Sequence, residues 1–309
     1  NEASCCGLGA VNDARMAAAK IGIPHYVVDF RAAFGREVID NFVEEYLRGR
    51  TPNPCVICNR EIKWGELLRK AEALGVHSIA TGHYARLHFD EPSGRVAVLQ
   101  ARYRQKDQSY ALWGLSQQAL SRTLFPLGEM TKPEVRNLAT KYGLQNAGKT
   151  ESYEICFVPD NRYDRFLKER VAGLEKSVAG GDLVWGDEVV GKHQGYPFYT
   201  IGQRKGLGAH GQKIYVTGIE SSTNTVRIGT VGDLRHYGLV AGSVNWVSIP
   251  APRDEIRVRA KVRYKDEAAP ATVSLTERGQ IRVRFEEAKR AITPGQSVVF
   301  YKGQELIGG

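Results

Sequence analysis

The chain has 309 residues, of which 42% are hydrophobic and 25% are charged. These values are ordinary for a globular protein and exclude a disordered, collagen-like or coiled-coil chain, and the length is sufficient for two or three domains with separate cores. We find no run of the roughly 18 apolar residues that a membrane span needs and no recognisable secretory leader. We therefore expect a cytoplasmic protein without membrane partners.

The charge is basic and evenly distributed. Lysine and arginine number 43 against 34 acidic residues, a net charge of +9. The basic excess is 2 in residues 1–160, 3 in 161–239 and 4 in 240–309. This pattern suits an extended polyanion such as a nucleic acid, although net charge alone is a weak indication of a partner. The five cysteines are too few for a disulfide framework.

Helix and strand patterns alternate through the first 160 residues. The predicted elements are a helix begun by Asn12 or Asp13 and ended by Gly22, a buried strand 26–30, a helix 34–47, a helix capped by Asn59, and a strand 78–81. Apolar strands alternating with helices predict a parallel sheet covered on both faces, so the fold class is α/β.

The pattern changes along the second half. Thr131 and Glu134 form a capping box that opens a helix ending near Gly143, and another helix is predicted over 163–171. Short strands and frequent glycines follow from about residue 180. From Val240 onward almost every segment has strand character, which predicts a small β-barrel. We therefore divide the chain into residues 1–160, a central mixed domain 161–239 and a barrel 240–309.

The most specific local pattern is Thr51-Pro52-Asn53-Pro54-Cys55-Val56-Ile57-Cys58-Asn59. The two prolines stiffen the loop. Because Cys58 directly precedes the predicted cap, the helix dipole would favour its reactive thiolate. The Cys55–Cys58 spacing suits a redox pair or half of a structural zinc site, and the sequence contains no second cysteine or histidine pair to complete that zinc site.

Three further features are less specific. Cys156 lies among apolar residues, where a cysteine is more often part of the core than catalytic. Gly82, at the end of a predicted parallel strand, would let a nucleotide approach the backbone, and His83 could face a phosphate or lie on the surface of an ordinary turn. The glycine-rich turn 202–208 could hold phosphate or be an ordinary turn. Cys5 and Cys6 receive no role.

Seven motifs occur in a fixed order along the chain. They are Thr51-Pro52-Asn53-Pro54-Cys55 with Cys58-Asn59, Ala80-Thr81-Gly82-His83-Tyr84, Lys106-Asp107-Gln108-Ser109-Tyr110, Phe125-Pro126-Leu127-Gly128, Glu154-Ile155-Cys156-Phe157, Tyr199-Thr200-Ile201-Gly202-Gln203-Arg204-Lys205-Gly206 and Thr293-Pro294-Gly295-Gln296. In this set and order the chain closely resembles the bacterial tRNA-specific 2-thiouridylases. The resemblance covers essentially the whole sequence.

The resemblance implies a fold and a reaction. The fold would be a Rossmann-like parallel-sheet ATP-pyrophosphatase domain, a central mixed domain and a C-terminal β-barrel. In the family, ATP with Mg²⁺ adenylates the C2 carbonyl oxygen of the wobble uridine in tRNA. A persulfide on the cysteine matching Cys156 delivers sulfur, supplied by a donor protein or inorganic sulfide, and the cysteine matching Cys58 assists or resolves the intermediate.

The resemblance also assigns binding residues. Asn53, Pro54 and Cys55 would meet the target base, and Gly82 would contact ATP. The residues implied to contact tRNA elsewhere are His83, Lys106, Asp107, Gln108, Arg263, Tyr264 and Gln296.

Two departures from the family pattern affect these expectations. The phosphate-loop signature Ser-Gly-Gly-Val-Asp-Ser is absent from the sequence, and its first strand and turn would lie upstream of Asn1. We therefore expect an incomplete first domain, and the alternatives are a catalytically inactive tRNA-binding fragment or a thiolase for another tRNA base. The Thr-Pro-Asn-Pro loop disfavours the other-base thiolase.

The second departure is Cys55, where some members carry aspartate. With Cys58 and Cys156 it makes three thiolates, which could hold a four-iron four-sulfur cluster with one iron open to hydrosulfide. The sequence leaves the cluster and the persulfide routes open, and the third cysteine favours the cluster.

Overall fold

The computed structural model describes residues 8–148 and 155–309. Cys5, Cys6 and Glu154 lie outside the described residues.

The helices of the described residues are concentrated in the first half of the chain. They are α1 (Leu8–Ile21), α2 (Arg31–Phe34), α3 (Asp40–Leu47), α4 (Pro54–Ile57), α5 (Leu67–Ala73), α6 (Gln117–Ser121), α7 (Lys132–Lys141), α8 (Tyr163–Arg170) and α9 (Leu174–Val178). A π-helical segment, Gly35–Ile39, joins α2 to α3, and another, Cys58–Glu66, joins α4 to α5. Two longer helices therefore run through residues 31–47 and 54–73.

The strands form three sheets. They are β1 (Ile79–Ala80), β2 (Ala85–Asp90), β3 (Arg95–Gln100), β4 (Thr123–Leu124), β5 (Asp182–Trp185), β6 (Glu188–Lys192), β7 (Tyr215–Glu220), β8 (Thr225–Gly229), β9 (Arg235–Ala241), β10 (Ile256–Lys261), β11 (Ala269–Leu275), β12 (Ile281–Arg290), β13 (Val299–Lys302) and β14 (Glu305–Gly308). β1 and β4 pair in parallel. A central sheet has the order β6-β5-β8-β7, and an eight-stranded antiparallel sheet has the order β2-β3-β14-β13-β10-β11-β12-β9.

The predicted helix boundaries are partly confirmed. Helix α1 ends at Ile21, and Gly22 follows with a φ of +73°, but Asn12 and Asp13 lie inside the helix and do not cap it. The capping box of α7 is confirmed, because the Thr131 backbone N–H donates to Glu134 Oε2 at 2.6 Å and the Glu134 N–H donates to Thr131 Oγ1 at 3.4 Å.

The predicted strand 26–30 is wrong. These residues are in no strand, and the side chain of Tyr26 is 80% exposed. Strand formation needs a hydrogen-bonded neighbour, and within the described residues none pairs with this segment. Within the first 160 residues, the parallel pairing in the described part of the chain is that of β1 with β4.

The helices 31–47 and 54–73 pack into two different hydrophobic cores. The helix 31–47 contributes Phe42, Val43 and Tyr46 to a core shared with the central sheet. The helix 54–73 contributes Trp64 and Leu68 to a second core, whose other members come mainly from residues 110–120 and from β2, β3, β13 and β14. The chain between these two helices therefore crosses from one core to the other.

The C-terminal strands enclose a third core. Buried residues alternate with exposed ones along β10 and β12, and the inward side chains of β10 to β13 form one cluster. This alternation confirms the predicted strand-rich region. The sheet begins with β9 at Arg235, and β2 and β3 extend it, since β3 pairs with β14.

Candidate functional site

Residues 48–53, which we call the junction loop, connect the helices 31–47 and 54–73. The central part of the chain holds one side of this segment. The Tyr196 hydroxyl donates to the carbonyl oxygen of Leu47 at 2.6 Å, and Thr51 Oγ1 donates to Thr200 Oγ1 at 3.4 Å. Two central-part residues, 196 and 200, thus fix the chain at the end of α3 and in the middle of the loop.

The C-terminal part holds the other side of the junction loop. The Thr51 N–H donates to the Pro294 carbonyl at 2.8 Å. Gln296 Nε2 donates to the carbonyls of Thr51 at 2.8 Å and Pro52 at 3.2 Å. Gly295, with φ of +92°, lies so close that an added Cβ would be 2.8 Å from the Thr51 carbonyl oxygen. The predicted tRNA contact Gln296 therefore uses its amide to position the loop that carries Asn53.

Asn53 ends the loop and is tied to a buried tyrosine. The Tyr110 hydroxyl donates to the Ser297 carbonyl at 2.8 Å. Burial raises the pKa of Tyr110 above its ordinary value, and the Asn53 amide beside it partly offsets that rise, so the phenol remains a neutral donor. Tyr110 thereby links the Asn53 position to the turn around Gln296.

The helix after the loop begins at Pro54, so the predicted cap at Asn59 is wrong. Proline fits the first helical position because it has no N–H to leave unsatisfied. Asn59 is buried inside the helix, where Nδ2 donates to the Ala111 carbonyl at 2.9 Å and Oδ1 accepts from Lys63 Nζ at 2.9 Å. Cys55 is exposed in the first turn and Cys58 is half-buried one turn later. The helix dipole therefore favours the Cys55 thiolate more directly than that of Cys58.

Cys156 is placed by the aromatic residue that follows it. Phe157 packs edge-to-face on Phe34, at 5.8 Å between ring centroids, and on Phe42, at 5.1 Å. It also contacts Phe166 at 5.3 Å. Cys156 itself is half-buried, and its backbone is thus anchored against the helix 31–47.

The structure does not assemble the predicted three-thiolate metal site of Cys55, Cys58 and Cys156. Within residues 8–148 and 155–309, no group of three or more His, Cys, Asp or Glu side chains is placed to hold a metal ion. Cys55 and Cys58 share a helix face at i and i+3, whereas Cys156 follows the aromatic packing of Phe157. The three thiols consequently do not converge on one point in this conformation.

His83 is buried, which corrects the expectation of a surface histidine. Its Nδ1 lies 2.8 Å from Thr81 Oγ1, and its Nε2 lies 3.4 Å from Lys63 Nζ. Burial, and secondarily the charge of Lys63, lower the pKa of His83 to about 3. The ring is therefore neutral near pH 7. Its role in tRNA binding stays a prediction.

Gly82 lies in the open, just after the parallel strand β1. A Cβ built on it would meet only Leu127 Cδ1, at 3.8 Å. The carboxyl end of a parallel strand is where α/β sheets bind nucleotides, and this end of β1 is accessible. The position agrees with the nucleotide contact expected for Gly82, which stays a prediction.

The Lys106-Asp107-Gln108 segment is held by internal hydrogen bonds. Asp107 is buried and accepts from the Ala101 N–H at 2.9 Å and from Ser109 Oγ at 2.9 Å. Gln108 Oε1 accepts from the Tyr84 N–H at 2.9 Å. Asp107 and Gln108 therefore shape the backbone beside His83, and Lys106 ends the short 3₁₀ turn Arg104–Lys106 before them.

Arg263 and Tyr264 lie just beyond β10. Arg263 Nη2 donates to the carbonyls of Arg290, at 3.3 Å, and Ala291, and burial lowers the pKa of Arg263 from its ordinary value. The Tyr264 ring is partly exposed, with Lys261 Nζ 5.7 Å from its centroid. Arg263 thus fastens the chain that leads to Gln296, and Tyr264 lies beside it with its ring partly exposed.

A cleft of about 750 Å³ opens beside the junction loop. Its lining includes Asn53, Gln296 and three residues that the sequence did not identify, Arg60, Trp113 and His236. Arg60 directly follows the Cys58-Asn59 motif, and that adjacency is the one signal that could have identified it. Trp113 and His236 become neighbours of the loop only through the tertiary fold. The cleft combines cationic, aromatic and amide groups, which suits an unstacked base with its phosphate.

Within the described residues, no helix is both long enough and apolar enough to cross a membrane.

Comparison with known proteins divides the chain into three matched regions. Residues 1–160 match the tRNA methyl transferase HUP domain, residues 165–230 the tRNA methyl transferase PRC-barrel domain, and residues 236–309 the aminomethyltransferase β-barrel domain. These matches confirm the predicted fold class of a Rossmann-like domain, a central domain and a C-terminal barrel.

Curated relatives match over the full chain. A tRNA-specific 2-thiouridylase MnmA from Salinibacter ruber is 50% identical over 311 residues, covering 100% of this chain and 81% of the relative. Proteins of the same name from Carboxydothermus hydrogenoformans and Clostridium perfringens are 50% and 47% identical, covering 99% and 100% of this chain and 83% and 85% of the relatives.

Proposed function

The chain belongs to the tRNA-specific 2-thiouridylase family, and from that premise we propose that it is an ATP-dependent transferase that converts the wobble uridine of tRNA into 2-thiouridine. The observation that carries this proposal is the junction loop. It is held by residues of the central part and of the barrel, and it presents Asn53 immediately before the cysteine-bearing helix. An RNA contacting both parts would find its target base beside the thiols.

The first step makes the uridine C2 oxygen a leaving group. That oxygen attacks the α-phosphorus of ATP, the bond to pyrophosphate breaks, and an O2-adenylate forms. ATP enters as its Mg²⁺ complex, with the nucleotide at the open end of β1 beside Gly82. Activation is needed because a carbonyl oxygen is otherwise a poor leaving group.

The second step transfers sulfur. The terminal sulfur of a Cys156 persulfide attacks C2 and AMP leaves, so the base is joined to Cys156 through a disulfide. The Cys58 thiolate then attacks the Cys156 sulfur, which forms a Cys58–Cys156 disulfide and releases the 2-thiouridine. An external thiol reductant restores both cysteines, and a sulfur-donor protein then transfers the outer sulfur of its own persulfide to the Cys156 thiolate. Inorganic sulfide can serve instead by attacking the Cys156 sulfur of the Cys58–Cys156 disulfide, which forms the Cys156 persulfide and releases the Cys58 thiolate. This cycle needs the reducing conditions of the cytoplasm.

The cluster route is not part of this mechanism. It needs three thiolates around one metal site, and Cys55, Cys58 and Cys156 form no such group within the described part of the chain. The persulfide route needs only that two cysteines reach the activated base in turn.

We propose a separate role for each of the three parts that the sequence predicts, and the role of the central part rests on its hydrogen bonds to the junction loop. Residues 1–160 carry adenylation and sulfur transfer, residues 161–239 support the junction loop, and residues 240–309 hold the RNA. Asn53, Pro54 and Cys55 meet the target base. The other residues of the proposed RNA site are His83, Lys106, Asp107, Gln108, Arg263, Tyr264 and Gln296, of which the buried His83 and Asp107 act by shaping the backbone.

The cysteine roles are tested with Cys58→Ser and Cys156→Ser. Each is expected to lower 2-thiouridine formation, measured by nucleoside mass spectrometry, by at least roughly 100-fold, because a hydroxyl replaces the nucleophilic thiolate. The affinity for tRNA is expected to change less than about twofold, since neither thiol is needed for phosphate binding. A serine variant that keeps most of its activity would remove that cysteine from the mechanism.

The same assay separates the alternatives. A transcript with cytidine at the wobble position is the control and is expected to receive no sulfur. Binding without AMP release or thiolation would identify an inactive tRNA-binding protein, and sulfur on another base would identify a different thiolase. Thiolation that requires protein-bound iron, measured after anaerobic purification, would favour the cluster over the persulfide.

A further inference from the structure

Two arginines from different parts of the molecule contact one tyrosine ring. The guanidinium carbon of Arg204, in the central part, lies 5.8 Å from the ring centroid of Tyr215. That of Arg290, at the end of β12, lies 5.0 Å from the same centroid. Tyr215 is buried, whereas both arginines are exposed. Two guanidinium groups, one from the central part and one from the C-terminal part, thus lie near one aromatic ring, and we call this boundary between the two parts the seam.

This pair belongs to a larger group, which we call the seam cluster and define as Arg204, Lys205, Arg235 and Arg290. Arg235 lies directly opposite Arg290 in the β9–β12 register, and Lys205 follows Arg204 in the exposed turn. All four side chains are exposed, so like charges are brought together at the surface. Such an arrangement is repulsive unless an anion lies between them.

Acidic residues nearby are already engaged. Asp266 pairs with Lys289 at 2.9 Å. Asp164, which lines a second cleft together with Arg204, pairs with Arg162 at 3.0 Å. Asp233 accepts from Thr230. In the part of the chain that the structure describes, no ion pair involves a member of the seam cluster. Its positive charge is therefore left for a ligand.

The seam cluster is connected to the junction loop by short stretches of chain. Arg290 is four residues before Pro294, whose carbonyl binds Thr51, and four residues span at most roughly 14 Å. On the other side, Arg204 is four residues after Thr200, which binds Thr51 Oγ1. A polyanionic strand that passes the junction loop can therefore reach the seam cluster.

We propose that the seam cluster binds a backbone phosphate of the RNA substrate, with Arg204 and Arg290 gripping the same phosphodiester from two parts of the protein. The inference rests on the proposed function, which makes RNA the substrate. Guanidinium groups bind phosphate oxygens through paired N–H donors, and proteins recognise RNA largely through phosphates and shape. The phosphate also offsets the repulsion between the arginines, so RNA binding fixes the central part relative to the barrel.

The test uses the intact protein and an unmodified tRNA transcript with a wobble uridine, in filter binding at several salt concentrations. Arg204→Gln and Arg290→Gln are each expected to raise Kd roughly 5- to 10-fold. Each is also expected to reduce the slope of log affinity against log salt by about one phosphate contact. The double variant is expected to lose less than the product of the two effects, because both groups share one phosphate.

Control variants make the outcome decisive. Arg227→Gln removes an exposed arginine of the same central sheet that pairs with Glu220 at 3.6 Å, and its affinity is expected to be unchanged. Arg204→Lys and Arg290→Lys keep the charge and are expected to keep the salt slope with weaker binding. If a glutamine variant fails to fold, as judged by thermal unfolding, the lysine variant at the same position is used in its place.

Different results would contradict the phosphate site and the proposed enzymatic function. Wild-type thiolation combined with unchanged Kd and slope in both arginine variants would overturn the phosphate site alone. Strictly additive losses would overturn the shared phosphate. Wild-type binding without thiolation would contradict the proposed function, and weaker binding by both arginine variants in that case would still support the seam cluster as an RNA site. A wild-type protein that does not bind the transcript would overturn both.

Discussion

Burial decides the charge of His83. The ring packs 5.4 Å from Trp64 and 6.0 Å from Phe125, measured between centroids, and Lys63 approaches Nε2. With its pKa lowered to about 3, the histidine cannot offer a positive charge to a phosphate at neutral pH. Its contribution to an RNA site would come through the backbone it fixes between Thr81 and Tyr84.

This pKa predicts a pH-dependent stability. Between about pH 6.5 and pH 3 the unfolded chain holds a proton on His83 that the folded chain does not. Stability therefore falls as pH decreases through this window, by at most about 1.4 kcal/mol per pH unit from this group. Urea unfolding at pH 7, 6 and 5 measures the slope.

The matched variant for this measurement is His83→Gln, which retains a polar side chain and does not titrate. Its free energy of unfolding is expected to depend less steeply on pH than that of the wild type. If the free energy of unfolding depended equally on pH in the two proteins, His83 would not be a neutral buried group in the folded state.

At the scale of elements, the turn Thr293-Pro294-Gly295-Gln296 positions the junction loop. Gly295→Ala is expected to displace the turn, because the added Cβ would lie 2.8 to 2.9 Å from three backbone atoms of Thr51 and φ is +92°. We expect a loss of about 1–3 kcal/mol in unfolding free energy and a larger fractional loss of thiolation than of tRNA affinity. Chemical unfolding and single-turnover assays measure these quantities.

Gly303→Ala serves as the control for backbone strain. Gly303 has a φ of +61°, and an added methyl group there would have no atom within 4 Å, so it reports the cost of the left-handed conformation without a clash. If Gly295→Ala were no more damaging than Gly303→Ala, the close docking on Thr51 would be unimportant.

The elements that could be predicted are those with local signals. The capping box at Thr131 and the glycine after α1 determine their helix ends through neighbouring backbone groups, and both predicted ends are confirmed. Asn59 has the residue type of a cap, but it lies inside a helix, where its side chain makes a tertiary hydrogen bond to Ala111 and a local one to Lys63, one turn later. Segment 26–30 has a strand composition, yet strand formation depends on a partner that composition does not specify.

At the scale of the whole molecule, one core joins distant parts of the chain. Leu306, on β14, is fully buried in the cluster that contains Trp64 and Val98. Leu306→Ala is expected to cost about 2–5 kcal/mol and to lower hydrogen-exchange protection in β3 and the helix 54–73 as well as in β13. Residues before position 160 and after position 240 therefore share this core.

Leu167→Ala provides the comparison, since Leu167 is equally buried in the core of the central sheet. Its loss of protection is expected in α3 and the central strands. If exchange after Leu306→Ala rose only within residues 299–309, the shared core would not act as one cooperative unit.

Several residues of the candidate site could be predicted from the sequence, but their contacts across the chain could not. The motifs that carry Asn53, Cys58 and Gln296 are identifiable because each is a short, distinctive string. That Gln296 donates to the carbonyls of Thr51 and Pro52 could not be predicted, because 245 residues separate Gln296 from Thr51 along the chain and no local pattern encodes the contact. The seam cluster likewise exists only when β9, β12 and the turn 202–206 are assembled.

The double support of the junction loop has a consequence for biosynthesis. Thr51 leaves the ribosome long before Pro294 and Gln296, its partners in the folded protein. At 5–20 residues per second, the intervening chain takes roughly 12 to 50 seconds to make. During that interval the loop has no hydrogen bonds to residues 294–296. A nascent chain therefore cannot complete the support of this loop until residues 294–296 have been synthesised.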